Sequence, residues 1–105
     1  MRKIRLALMP AVVLVAAVAA GSSGAQAQCN TIGGKGTAWD AEGAKFQAYE
    51  AMLQGTDWGM WAAWMASGAK VGDAPGYSVK GLRFRCGKGG VGAECHGRAT
   101  FCKKT

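Results

Sequence analysis

The chain has 105 residues, four of them cysteine, and a formal net charge of +7 from 13 Lys and Arg against six Asp and Glu. This length allows one small domain, whose hydrophobic core alone supplies little stability, and excludes a multidomain enzyme. The cysteines form no C-x2-C pair, so we expect no zinc site built from them with His96. We expect no cofactor and no other metal.

Residues 1–27 have the pattern of a cleavable signal peptide. Three basic residues precede an apolar run over 6–20, which is too short for a comfortable membrane span, and the motif Ala25-Gln26-Ala27 follows. Gln28 stands before Cys29 where bacterial lipoproteins carry a small residue, so we expect no lipid anchor. Loss of the three positive charges in this segment lowers the net charge from +7 to +4. The predicted localisation is periplasmic or secreted.

The segment 28–38 is rich in glycine. Its sequence Gly34-Lys35-Gly36-Thr37 lacks the G-K-[ST] order of a phosphate-binding loop. We interpret this segment as a mobile N-terminal arm in front of a single disulfide-bonded domain over 39–105.

A first helix is predicted over 39–54. Its apolar face comprises Trp39, Phe46, Tyr49 and Leu53. These residues lie at offsets of 0, 7, 10 and 14, so they share one helical side, which we expect to face the core. Thr37 with Asp40 three positions on forms a weak capping box, and Gly55 marks the end of the helix.

A second helix is predicted over 57–67, with Thr56 and Asp57 as candidate N-caps. Its apolar stripe comprises Trp58, Trp61 and Met65. Met60 and Trp64 fall off this stripe, so the helix is apolar on most of its circumference. Such a helix is either buried on two sides or exposes tryptophan to a partner.

Turn residues at 73–76 precede two segments of alternating character, 77–86 and 93–102, which predict the arms of an antiparallel β-hairpin. Between them, residues 87–92 match the letters of G-x-G-x-x-G but lead into no helix. We interpret them as a flexible hairpin loop rather than a dinucleotide site. The predicted fold class is therefore α+β, with two short helices packed on a C-terminal hairpin.

The cysteines suggest a register for this hairpin and two disulfides. If Cys86 lies opposite Cys95, the two can bond, and the aromatic ring of Phe84 fills the gap over Gly97. The inner face then comprises Leu82, Phe84, Cys86, Cys95, Ala99 and Phe101, with Leu82 facing Ala99. Cys29 with Cys102 is the remaining pair. A bond from Cys29 to Cys86 or to Cys95 is the alternative.

The overall layout resembles a group of known proteins. A signal peptide, an Ala-rich helix with tryptophans, a W-x2-W motif and a closing series of Cys86, Cys95 and Ala99-Thr100-Phe101-Cys102 are also found in small exported proteins of Gram-negative bacteria that carry no assigned function. The resemblance covers most of the chain after the signal peptide. It implies a periplasmic or secreted bacterial protein and supplies no catalytic residues.

The sequence offers no convergent set of catalytic residues. Glu42 and Glu50 lie two helical turns apart, about 12 Å, which is too far for a carboxylate pair. His96 lies in a predicted strand, where a solvated histidine is more common than a catalytic base. We therefore expect no enzyme; a lysozyme-like hydrolase is the first enzyme class to test.

The main candidate site is a cluster of basic side chains on the hairpin. The hairpin register turns Arg83, Arg85, His96 and Arg98 to the outer face, with Arg83 opposite Arg98 and Arg85 opposite His96. Such a cluster is either a solvated surface or a site for an anion. The expected partner is an anionic envelope component or a protein. Nucleic acid is the least favoured partner, because a charge of +4 is modest and no recognition motif is present.

A second candidate surface is aromatic. Trp58, Trp61 and Trp64 could stack on sugars, although core packing is the more frequent role of a helical aromatic stripe. We predict a non-enzymatic binding or accessory module of the bacterial envelope. The alternative is a cationic, Trp- and Gly-rich antimicrobial or bacteriocin-like secreted protein.

Overall fold

The computed structural model describes residues 28–104. In chain order it contains β1 (Cys29–Ala38), α1 (Ala41–Thr56), α2 (Trp58–Ala66), β2 (Tyr77–Gly89) and β3 (Gly92–Lys103). The strands form one antiparallel sheet in the order β1-β3-β2, which confirms the α+β class. The predicted signal peptide over 1–27 lies outside the described residues. No helix within residues 28–104 combines the length and apolar character needed to cross a membrane.

The Gly-rich segment is a strand, so the prediction of a mobile N-terminal arm over 28–38 is wrong. β1 pairs with β3 along its whole length, from Cys29 opposite Cys102 to Ala38 opposite Ala93. The sheet therefore has three strands rather than the two of the predicted hairpin. Its central strand is β3, the last element in the chain.

Two glycines on β1 allow α1 to pack closely on the sheet. A Cβ at Gly34 would lie 2.4 Å from the carbonyl oxygen of Ala48, and one at Gly36 would lie 2.4 Å from that of Ala44. Both alanines are fully buried. The small residues on the helix and the glycines on the strand therefore bring the two backbones together.

α1 begins two residues later than predicted. Asp40 is its N-cap, and the carboxylate accepts a hydrogen bond of 2.8 Å from the backbone N–H of Gly43. Trp39 consequently precedes the helix and is 83% exposed, so its assignment to the core face is wrong. Tyr49 and Leu53 from the same predicted face are fully buried.

α2 has a predicted N-cap, and the structure determines which of its apolar faces is buried. The carboxylate of Asp57 accepts hydrogen bonds from the backbone N–H groups of Gly59 and Met60. The buried side chains of the helix are Met60 and Trp64. Of the two possibilities left open for this helix, the structure shows the second: the stripe of Trp58, Trp61 and Met65 lies on the outer side, with Trp58 62% and Met65 45% exposed.

The hairpin has the predicted register over most of its length. Cys86 lies opposite Cys95 and Phe84 opposite Gly97, where a Cβ on the glycine would collide with the Phe84 ring at 2.8 Å. A β-bulge between Lys80 and Arg83 sets both Gly81 and Leu82 against Ala99, so the regular pairing predicted for Leu82 is interrupted. Leu82 still packs against the core.

The turn of the hairpin is tighter than the predicted loop over 87–92. β2 continues to Gly89 and β3 begins at Gly92, so that only Gly90 and Val91 lie between the paired strands. Gly90 has a positive φ of 55°, a conformation that glycine adopts without steric cost.

Both predicted disulfides are present, Cys29–Cys102 and Cys86–Cys95. Cys86 lies on the same face of the sheet as its bonded partner Cys95, as predicted, but it is exposed, whereas Cys95 is fully buried. The helices cover one face of the sheet and enclose the core. Its buried members are Tyr49, Met52, Leu53, Met60, Trp64, Ala74, Ala99 and Phe101. Two disulfides are consistent with an oxidising, extracellular compartment.

Candidate functional site

The candidate site is the face of the sheet that the helices leave uncovered. We call it the cationic face and define it by Arg83 and Arg85 on β2 with His96 and Arg98 on β3. Side chains alternate along a strand, so these four residues point away from the core residues Cys95, Ala99 and Phe101. All four are exposed.

The observed register brings these four residues together as predicted. Arg83 lies opposite Arg98, and Arg85 lies opposite His96. Neighbouring strands are about 5 Å apart, and residues two apart on one strand are separated by about 7 Å. The backbone therefore arranges four cationic or protonatable side chains as the corners of a small rectangle.

The third strand extends this rectangle. On the other side of β3, Gly33 lies opposite Arg98 and Lys35 lies opposite His96. Neither β1 residue belonged to the predicted site, because segment 28–38 was not expected to pair. Extending the proposed Cys29–Cys102 pairing residue by residue along two antiparallel strands would have found both of them.

The charges on the face are unevenly balanced. Glu94 lies beside one end, where its Oε2 is 3.6 Å from Nζ of Lys35 and 3.3 Å from Nε2 of His96. Among residues 28–104, no carboxylate lies within salt-bridge distance of Arg83, Arg85 or Arg98. The positive potential of the face is therefore strongest at its arginine end.

An open cavity of about 670 Å³ lies at this arginine end. All four residues of the cationic face line it, together with Gly33. Phe84 and Gly97 also line it, and because alternation turns these two residues toward the core, their backbone forms the floor. A Cβ added to Gly33 would contact only the carbonyl oxygen of Gly97, at 3.4 Å, so the space above Gly33 is open.

The predicted aromatic surface is only partly present. Trp64 is fully buried and donates its indole N–H to the carbonyl oxygen of Lys70 at 2.8 Å, so it belongs to the core and not to a surface. Trp58 is exposed and packs edge to face on the half-buried Trp61, with ring centroids 5.2 Å apart. This pair lies on α2, on the opposite side of the sheet from the cationic face.

The carboxylates considered for catalysis have structural partners. Glu42 forms a salt bridge of 3.7 Å with Lys45. Glu50 accepts a hydrogen bond of 3.0 Å from the indole N–H of Trp61. Within residues 28–104, no group of three or more His, Cys, Asp and Glu side chains is placed to hold a metal ion.

The perturbed titratable groups lie away from the cationic face. Burial raises the pKa of Tyr49 far above its ordinary value, and the negative charge of Asp73 adds to this effect. The hydroxyl of Tyr77 donates a hydrogen bond of 2.9 Å to Asp57 and lowers the pKa of that carboxyl. The Tyr49 hydroxyl also donates a hydrogen bond to the backbone oxygen of Asp73, so both tyrosines link separate elements and stabilise the fold.

Comparison with known proteins gives no relative from which a role could be inferred. The chain matches no family model, no curated protein and no solved structure. Its functional assignment therefore depends on the geometry and charge of the cationic face.

Proposed function

We propose that this chain is an exported, non-enzymatic accessory protein of the bacterial envelope that binds an anionic partner through its cationic face. The observation that supports this proposal best is the group of three arginines that line one cavity, none of which has a carboxylate of residues 28–104 within salt-bridge distance. Like charges placed opposite each other across strands destabilise a sheet. An anionic ligand would offset that cost.

The proposed location follows from the signal-peptide pattern and is supported by the disulfides. Both bonds need an oxidising compartment to persist. The exported protein should therefore begin at Gln28, carry no lipid on Cys29 and be periplasmic or secreted. N-terminal sequencing and mass measurement of the exported protein test this expectation. Retained residues 1–27 or a lipid on Cys29 would contradict it.

Replacing Arg83 and Arg98 together by Gln tests the binding site. We expect weaker, salt-sensitive binding to anionic envelope extract, because two of the charges that line the cavity are lost. Thermal stability should stay equal or rise slightly, since the repulsion between opposed arginines is removed.

The matched control replaces Lys70 and Lys104 by Gln, which removes the same charge outside the cavity. The control should bind as the unchanged protein does. Equal binding by all three proteins would make the cationic face a solvated surface only. A collapse of stability in the arginine variant would contradict the assigned roles of these side chains.

The exposed tryptophans favour a second candidate function. Trp39 and Trp58 are 83% and 62% exposed, and exposed aromatics on a basic protein are typical of molecules that insert into anionic membranes. An antimicrobial protein of this kind would release dye from phosphatidylglycerol vesicles and kill target cells. The accessory protein that we propose should leave both intact.

A further inference from the structure

The cavity on the cationic face narrows the chemical class of the anion. Building on the proposed function, we infer that the cavity binds a phosphate monoester carried by a sugar-sized molecule. The phosphoryl group is bound by the guanidinium groups of Arg83 and Arg98, and the open space over Gly33, on the other side of Arg98 from Arg83, receives part of the sugar. Arg85 and His96 contact the remainder of the ligand.

The paired arginines match a phosphoryl group better than a carboxylate. Arg83 and Arg98 are direct cross-strand partners, and each guanidinium presents a planar fork of N–H donors. A phosphate monoester carries nearly two negative charges at neutral pH and three terminal oxygens, so two forks can bind different edges of the same group. A carboxylate has one charge and two oxygens and leaves one arginine without full compensation.

The size of the cavity indicates that the phosphoryl group is attached to something larger. Its volume of about 670 Å³ lies within the range of small-molecule sites, roughly 300–1,000 Å³. Inorganic phosphate alone would leave most of this space to water. Arg85 and His96 lie one row further along the strands, about 7 Å away, where their N–H groups can bind hydroxyl oxygens.

Gly33 provides the open space at the β1 side of the cavity. It occupies the position opposite Arg98 where any other residue would place a side chain in the cavity. The residue has no positive φ, and a Cβ there would make only one ordinary contact. A β-branched side chain suits a strand, so Gly33→Val should narrow the cavity at its β1 side while charge and fold stay unchanged.

The experiment measures binding of defined probes to the oxidised protein by calorimetry. The probes are glucose 6-phosphate, glucuronate as the matched carboxylate sugar, and inorganic phosphate. We expect glucose 6-phosphate to bind at least tenfold more tightly than the other two. Gly33→Val should weaken its binding at least tenfold without lowering the melting temperature. The control Thr37→Val lies on the same strand outside the cavity and should bind normally.

The outcomes separate this inference from the proposed function. Unchanged binding by Gly33→Val, or equal binding of glucose 6-phosphate and glucuronate, would overturn the inference. The proposed function would survive if the Arg83→Gln, Arg98→Gln variant still loses binding to envelope extract, and would fail if that loss is absent.

Lipid vesicles test whether the phosphate monoester belongs to a sugar or to a lipid headgroup. Vesicles of phosphatidylcholine containing phosphatidic acid present the same phosphoryl group on a lipid. If the protein binds these vesicles but does not bind glucose 6-phosphate, the inference of a sugar-sized ligand is overturned. Binding of glucose 6-phosphate that the vesicles do not displace would support it.

Discussion

Adjacent glycines on β1 have opposite roles. Gly33 faces open space on the cationic face, whereas a Cβ added at Gly34 or Gly36 would lie 2.4 Å from a backbone oxygen of α1. The alternation of a strand sends neighbouring residues to opposite sides of the sheet, which explains the difference. One glycine leaves room for a ligand, and the other two leave room for a helix.

A substitution at each position separates the two roles. We expect Gly36→Ala to lower the free energy of unfolding by about 1–3 kcal/mol, because its Cβ would push α1 away from the sheet. Gly33→Ala should be neutral or stabilise by up to about 1 kcal/mol, since it reduces the entropy of the unfolded chain. Urea unfolding measures both values. Equal losses would show that α1 does not pack closely on β1.

The contact between Tyr77 and Asp57 predicts a specific pH dependence. The Tyr77 hydroxyl and two backbone N–H groups lower the pKa of Asp57 in the folded protein. The stabilisation from this shift is therefore complete above the ordinary pKa of Asp, about 3.9, and is lost as the pH falls through the lower folded value.

The variant Tyr77→Phe removes the largest cause of the shift. We expect the pKa of Asp57 to rise toward its ordinary value, and the difference in stability between pH 7 and pH 2 to become smaller. NMR titration of the carboxyl carbon and urea unfolding at both pH values measure these effects. An unchanged pKa of Asp57 would show that the hydrogen bond does not persist in solution.

The orientation of α2 shows why its sequence alone was ambiguous. Apolar residues surround most of the helix, so periodicity could not choose between the stripe of Trp58 and Trp61 and the stripe of Met60 and Trp64. The structure buries the second stripe against α1 and the sheet. The deciding contacts come from residues distant in sequence, including Phe46 and Tyr49, whose rings pack on Trp64.

This orientation is testable by comparing two tryptophans on the same helix. Trp64→Ala should lower the free energy of unfolding by about 3–5 kcal/mol, as is usual for a fully buried aromatic side chain. Trp58→Ala should cost about 1 kcal/mol, chiefly the loss of its edge-to-face contact with Trp61. Denaturant unfolding of both variants provides the comparison. A larger cost at Trp58 would indicate that the stripe of Trp58 and Trp61 faces the core instead.

Other elements were predictable to different degrees. Alternation and the two cysteines located the hairpin and the Arg83–Arg98 pairing, because both are local in sequence. β1 was missed because glycine has low β propensity and its pairing partners lie more than fifty residues away. The cationic face was therefore predicted as two strands, and its third strand with Gly33 was not.

The two disulfides should contribute unequally to the stability of the whole molecule. Cys29–Cys102 spans 73 residues and Cys86–Cys95 spans nine. In the chain-entropy model these loops contribute about 4 and about 3 kcal/mol. Replacing Cys29 and Cys102 by Ala should therefore destabilise the protein more than replacing Cys86 and Cys95. Urea unfolding of the two variants tests this order, and the reverse order would contradict it.

The position of β3 in the middle of the sheet has a consequence for biosynthesis. Both β1 and β2 leave the ribosome before β3, and each forms its strand pairing with β3. The sheet cannot begin to assemble until the twelve residues of β3 have been made. A chain that is released before β3 is complete would therefore lack every strand pairing of the sheet.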